Sequence, residues 1–209
     1  MELIRIIIGL IFLSFSFTFL KAIKIWVTRY YYKINGTFRK IYRLLNVKKR
    51  SEIVWKELIK LHREEGWNFG QFDKEKYIQT IFTVDNNLGI KFTYQVVKDK
   101  LEFKALILDS FDEEKTTDIL VLASHFNGLL NFGKVSVSTK YNYVELVYSG
   151  DLVTYMLYPG EIHSDQRVHY DVTKDCCWAF FNLIETNEDP VFVISELLRR
   201  KENEDKTNN

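Results

Sequence analysis

Cysteine is almost missing from this chain: there are two, Cys176 and Cys177, and they are adjacent. Neighbouring side chains on a helix diverge by about 100°, so a bridge between them would strain the backbone, and the disulfide framework of small secreted domains is excluded. The pair reads as two small buried apolar residues in a reducing compartment. Neither GxGxxG nor a P-loop occurs, which removes the common signatures for cradling phosphates. An excess of one charge is lacking too. With a formal net charge of +1 and a pI near 7.7, no bulk field draws in nucleic acid or acidic substrates. Internal repeats and low-complexity tracts are also absent.

One shortage is local. From Lys21 to Ser51 there are ten basic residues and no Asp or Glu. Just before and within its start lies IIIGLIFLSFSFTFL, Ile6 to Leu20, continued by Ala22, Ile23, Ile25, Trp26 and Val27. About 20 apolar residues cross a bilayer core as a helix, so residues 1–27 are expected to form a transmembrane anchor, with Arg5 and Lys24 snorkelling from its ends. Trp26 and Tyr30 to Tyr32 suit the interface. A cleaved export signal is the competing reading, with Ser14 and Ser16 at the cleavage site; the apolar sequence continuing past them argues against it. Positive flanks stay in the cytoplasm, so a single pass is expected, with the bulk of the chain on the cytoplasmic side of the membrane. The basic segment 28–50 is either a solvated linker or a helix lying on anionic lipid. Its aromatics could stack on single-stranded nucleic acid, but beside a span they are more simply interfacial anchors.

Residues 51–200 read as one domain of α+β class. A helix is expected to open at Ser51 and stop at Gly66. Residues 77–108 alternate as a three-stranded antiparallel meander, with Ile78, Phe82, Ile90, Phe92, Tyr94, Leu101 and Phe103 on one side and Lys91, Thr93, Gln95, Glu102 and Lys104 on the other. The stretch Thr116–Tyr148 organises the rest: a helix with the stripe Ile119, Leu122, Ala123, Phe126, Leu129 and Leu130 runs into a hairpin that turns near Lys140–Asn142. Ser110 and Glu113 have capping-box spacing and would start that helix early. Leu152–Tyr158 is expected as a further strand, 161–171 as a polar loop, and a helix from Asp171 or Thr173 is to bury Cys176, Cys177, Phe180, Leu183 and Ile184. Asp189-Pro190 starts a last helix with the stripe Val191, Ile194, Leu197 and Leu198. The tail 201–209 is polar and expected to be disordered.

This order of elements, carried by the helix Ser51–Gly66, the meander, SHFNGLL, NFGKVSVSTKYNYVELVYS and DVTKDCCWAFFNLIE, resembles the type III secretion chaperone-like superfamily, and within it the YbjN-type domains called bacterial sensory transduction regulators. The resemblance covers about residues 51–200 and rests on patterning alone. It implies a bacterial, non-enzymatic domain, often dimeric, that binds other polypeptides and holds no cofactor. Secretion chaperones are typically acidic and soluble, whereas this chain is near neutral with an apparent anchor, which favours the regulator-like branch and a place in the inner membrane.

Residues for catalysis are sparse. Ser124-His125 lies on the outer side of its helix with no orienting third group. The alternative to a binding module is an exported enzyme or metal-binding domain built on Glu161, His163, Asp165, His169 and Asp171, which have the right donor types at a spacing that matches no zinc or iron motif. For a binding module the expected surface is surplus apolar area: Val97, Leu106 and Leu108 facing away from the helices, and Trp178 and Phe181 off the main helical stripe. Trp178 is the expected aromatic anchor for a protein partner or a second copy, unless it packs against the last helix through Phe192.

Overall fold

Helix α1 (Val47–Glu64) buries Val54, Trp55, Leu58, Ile59 and His62, a stripe at three- and four-residue steps. The computed structural model describes residues 46–84 and 88–207, with Lys33, Gly36, Thr37, Tyr42 and Leu44 as isolated helical positions before them. The expected membrane span lies outside the described residues, and among these no helix is long and apolar enough to cross a membrane. Helix α1 begins a turn before the expected cap. Ser51 is already helical, and its hydroxyl accepts from Lys76 Nζ at 2.8 Å. One turn in, Arg50 forks onto Asp99 of the third hairpin turn, with Nε to Oδ1 at 2.9 Å and Nη2 to Oδ2 at 2.7 Å. At the far end Gly66, at φ +68°, closes a Schellman motif: its amide donates to Arg63 O and that of Trp67 donates to His62 O.

Beyond α1 come β1 (Phe69–Phe72), β2 (Tyr77–Thr83), β3 (Gly89–Val97), β4 (Lys100–Leu108), a 3-10 turn (Glu113–Lys115), α2 (Thr116–Leu129), β5 (Lys134–Ser138), β6 (Tyr143–Asp151), α3 (Leu152–Leu157), α4 (Gly160–Thr186) and α5 (Pro190–Thr207). The strands form one antiparallel sheet in the order β1-β2-β3-β4-β6-β5. The α+β class and the meander stand as expected. On β3 and β4 the alternation is strict: Phe92, Tyr94, Leu101 and Phe103 are fully buried, while on the other face Lys91 is exposed and Thr93, Gln95, Glu102 and Lys104 are half-buried. Residues from Lys48 onward form one compact unit.

Several expectations need correction. Strand β1 was not foreseen, because four residues with Gly70 inside show no alternating run. Leu108 does not face outward: the β4–β6 register shifts between Leu106 and Leu108, and this bulge buries Ile107 and Leu108 in succession. Ser110 caps nothing, its hydroxyl reaching only Asp109, and the 3-10 turn has no side-chain cap. Leu129 is 50% exposed because α2 ends there, whereas Ile119, Leu122, Ala123 and Phe126 are buried as expected.

Leu152–Leu157 is helix, not strand. Asp151 caps it by accepting from the Thr154 amide at 3.0 Å, which ends β6 sharply. Its Tyr155 turns back over Gly150, where an added Cβ would collide with the phenol oxygen, and that hydroxyl donates to Asp165 at 2.5 Å. The polar segment 161–171 is the first half of α4, not a loop. Helix α4 buries Ile162, Gln166, His169, Thr173, Cys176, Cys177, Phe180 and Leu183; the spacing is continuous, but three polar residues occupy the stripe. The last helix starts at Pro190, as expected, with Asp189 Oδ1 accepting from the Val191 amide at 2.8 Å. It buries Val193, Ile194 and Leu197 while Val191 and Leu198 stay exposed. It also continues to Thr207, through residues expected to be disordered, and an ion pair between Lys201 and Asp175 on α4 holds that extension.

The β5 edge is closed by a side chain. Asn127 of α2 donates from Nδ2 to Val135 O at 2.9 Å and accepts the Val135 amide on Oδ1 at 2.7 Å. Gly133, at φ +73°, lets the chain enter β5 where a Cβ would fall 2.9 Å from Val147 O.

Candidate functional site: an aromatic cleft and a tryptophan cleft

The donor cluster of the alternative reading does not assemble. Six residues along a helix place His163 and His169 about 120° apart around the axis. His163 is half-buried, 3.8 Å from Glu65 and tilted against Trp67. His169 is fully buried against the sheet, with Nε2 3.3 Å from Leu146 O. Glu161 and Asp171 are exposed, and Asp165 holds Tyr155. Among the described residues no three His, Cys, Asp or Glu side chains are grouped to hold a metal.

The helical start of α4 instead builds a cleft with α1 and the sheet. His62 is fully buried with its ring edge-on to Trp67, Phe69 and Tyr94, at centroid distances of 5.1, 5.2 and 5.4 Å. Its Nδ1 lies 2.9 Å from the Leu58 carbonyl. A carbonyl can only accept, so Nδ1 carries the proton, and burial holds the ring's pKa below its ordinary value. His62 Nε2 is therefore an acceptor. Gln166 lies 3.5 Å away through its Nε2, and that contact fixes the amide's orientation, because only the NH2 can face an acceptor. Gln166 Oε1 is left turned elsewhere, buried and with no partner.

The Gln166 side chain lines a cavity of about 340 Å³ together with Trp67, Phe82, Tyr94, Arg167, Tyr170 and Asp171. Trp67 and Phe82 meet edge to face at 5.0 Å, and Tyr170 is held in place by donating to Thr83 O at 2.7 Å while stacking on Phe92. The Tyr94 hydroxyl is also buried without a partner, and burial raises its pKa far above the usual phenol value. Arg167 and Asp171 stand exposed. Of these residues only Asp171 was weighed from the sequence, as a metal donor and not as part of a cleft. The available signals were Trp67 directly after the helix-stopping Gly66, and Gln166 in phase with Ile162 and Thr173.

The expected partner residues fall in two places. Trp178 and Phe181, both half-buried, line a second cleft of about 360 Å³ with Val84, Leu88, Cys177, Asn182 and Glu185. The Arg200 guanidinium of α5 lies 4.5 Å over the Trp178 ring; Phe192, the expected neighbour, is 53% exposed. Val97 and Leu106 are half-buried on the opposite face of the sheet, Leu106 in register with Lys91 and Glu145. The structure therefore joins the first pair and separates it from the second. Cys176 and Cys177 are buried, as expected, and burial raises the Cys176 thiol pKa.

No family model matches this chain, and no curated protein matches it. Among solved structures it is similar to the crystal structure of "YbjN, a putative transcription regulator from E. coli", at 14% identity and a TM-score of 0.42, over 56% of this chain and 87% of that one.

Proposed function

We propose that this protein is a non-catalytic, membrane-tethered binding module whose α+β domain holds a polypeptide, either a partner or a second copy of itself. The observation that carries this reading is the second cleft: two large aromatics, Trp178 and Phe181, remain half-buried around open space, although the core beneath them is closed by Cys177, Phe180 and Leu183. Aromatic residues left at a rim in this way are the usual anchors of an interface. The tether is supported by the apolar run Ile6–Val27 and by the acid-free basic segment after it. That charge bias supports a cytoplasmic domain in a single-pass inner-membrane protein, with the segment 28–50 near anionic lipid.

Two experiments test this. A fluorescent protein fused to the C-terminus should glow and alkaline phosphatase fused there should be inactive; the reverse pattern overturns the orientation. A photo-crosslinking residue placed at Asn182 in the full-length chain in cells should give a discrete adduct, of doubled mass for a second copy and another mass for a partner. If Asn182 gives no more adduct than the same probe at Lys134, on the far edge strand, the cleft is not an interface.

A further inference from the structure

The Trp178 cleft lies at the acidic end of the domain. It is lined by Val84 and Leu88, on either side of the β2–β3 turn, and by Trp178, Phe181 and Glu185 of α4. The β3–β4 register, with Lys91 opposite Leu106, carries Leu88 and Asp109 to the same end of the sheet. Lys115 of the 3-10 turn donates from Nζ to Asn187, just past α4, and fastens the two segments together. The stretches Asp109–Asp118 and Glu185–Asp189 contain eight Asp or Glu and a single base, that same Lys115. Most of these carboxylates serve the fold: Asp112, Glu113, Glu114 and Asp118 precede or open α2, and Asp189 opens α5, where the positive end of a helix dipole favours an anion. Glu185 does the opposite. It is exposed in the last turn of the 27-residue α4, which has no basic side chain there, so its charge adds to the negative end of that helix. Among the described residues it has no ion-pair partner.

We infer that the occupant of the Trp178 cleft is a cationic segment of another polypeptide, with Lys or Arg side chains flanking a large apolar anchor; this rests on the reading of that cleft as a polypeptide site. The anchor packs among Trp178, Phe181 and Leu88, all half-buried in the free domain, and covers aromatic area at the rim. A Lys or Arg beside it meets Glu185 and the negative end of α4 together, the two charges that the domain itself leaves unanswered. An acidic segment would meet them with repulsion, and a purely apolar one would leave them unmatched. Arg200 does not answer them: it lies over the Trp178 ring, a residue about 10 Å along α4 from Glu185. The surrounding carboxylates steer such a segment towards the cleft over roughly the Debye length, about 10 Å at 0.1 M salt.

Fluorescence anisotropy of rhodamine-labelled peptides with the full-length protein in non-ionic detergent tests it. The probes are a short lysine peptide around a single Phe, the same peptide with Glu for every Lys, and the same peptide with Ser for the Phe. The first should bind about tenfold tighter than either of the others, and should weaken as NaCl is raised from about 0.05 to about 0.5 M. Glu185→Lys, at an exposed position where the fold is not at risk, should cost that peptide about tenfold. Glu75→Lys makes the same change of charge in the exposed β1–β2 turn, at the opposite end of the sheet, and should alter binding by less than about twofold. Trp178→Ala should bring the Phe and Ser peptides to within about twofold. Equal binding of the lysine and glutamate peptides, or no binding, overturns the cationic occupant. Equal binding of the Phe and Ser peptides, or equal losses in Glu185→Lys and Glu75→Lys, reduces the effect to diffuse attraction and overturns the site. The Asn182 crosslink judges the underlying reading separately. A discrete adduct alongside charge-indifferent peptides keeps the interface and overturns its cationic partner, and an adduct of doubled mass makes the occupant a second copy and overturns it as well.

Discussion

The two halves of α4 each bury a stripe against the rest of the domain, and the stripes are chemically unlike. From Thr173 to Leu183 the inward stripe is Cys176, Cys177, Ala179, Phe180 and Leu183, and Phe180 stacks on Phe126 of α2 at 5.9 Å. From Ile162 to Thr173 the inward stripe is Ile162 followed by Gln166, His169 and Thr173, each nearly or completely removed from water. The apolar half gains stability from every atom it buries. In the polar half each buried group needs a partner. Thr173 has one, donating to His169 O at 2.6 Å, whereas Gln166 Oε1 and His169 Nδ1 do not. A helix can thus spend one end on cohesion and keep unmet hydrogen-bonding capacity at the other, and the cavity lies at the latter.

The largest expected effect attacks the cohesive half. Phe126→Ala should destabilise a 48–209 fragment by about 3 to 5 kcal/mol in urea denaturation, as expected for a fully buried Phe; a loss below 1 kcal/mol would mean that α2 and α4 do not share a core. The next concerns the polar half. Burial pushes the His169 pKa down to about 4 from 6.5, so the unfolded chain takes up this proton at a higher pH than the folded one. Its contribution is complete above pH 6.5, is lost as pH falls towards 4, and levels off below; over that window it is about 3 kcal/mol. Burial lowers the His62 pKa too and adds to the slope in the same direction. Denaturation midpoints that stay flat from pH 7 to 4.5 would contradict the buried, neutral histidines. The smallest effect tests the boundary between cleft and core. Arg200→Ala removes the cation over Trp178 and should cost about 0.5 to 1 kcal/mol, while a loss above 2 kcal/mol would place Trp178 in the core.

The same contrast explains what could be read from the residues. The meander was legible because Ile90 to Val96 and Leu101 to Ile107 alternate without interruption, and the last helix because Asp189-Pro190 announces it. The first half of α4 was not, since a stripe of Gln, His and Thr looks like a solvated loop when hydrophobicity is the guide. Leu152–Leu157 has no clear period, and only its contact with Asp151 decides for helix. Of the Trp178 cleft, the aromatic pair was legible, but its separation from Val97 and Leu106 depends on which side of the sheet α4 covers. The His62 cleft was not legible at all: Trp67, Tyr94 and Gln166 come from a helix stop, a strand and another helix, and only the packing brings them together.

Asn127 has a consequence for how copies of this protein could associate. A bare edge strand is a template on which another chain can grow the sheet by one more rung. On β5 the first outward-facing rung is already filled, because one carboxamide answers both the N–H and the C=O of Val135 as an incoming strand would. An incoming chain would have to evict Asn127 before it could register with β5. The opposite margin, β1, is only four residues long and contains Gly70, which gives a foreign strand little to grip. Open-ended stacking through the sheet is thereby discouraged on both margins, and association is steered towards closed contacts between side chains.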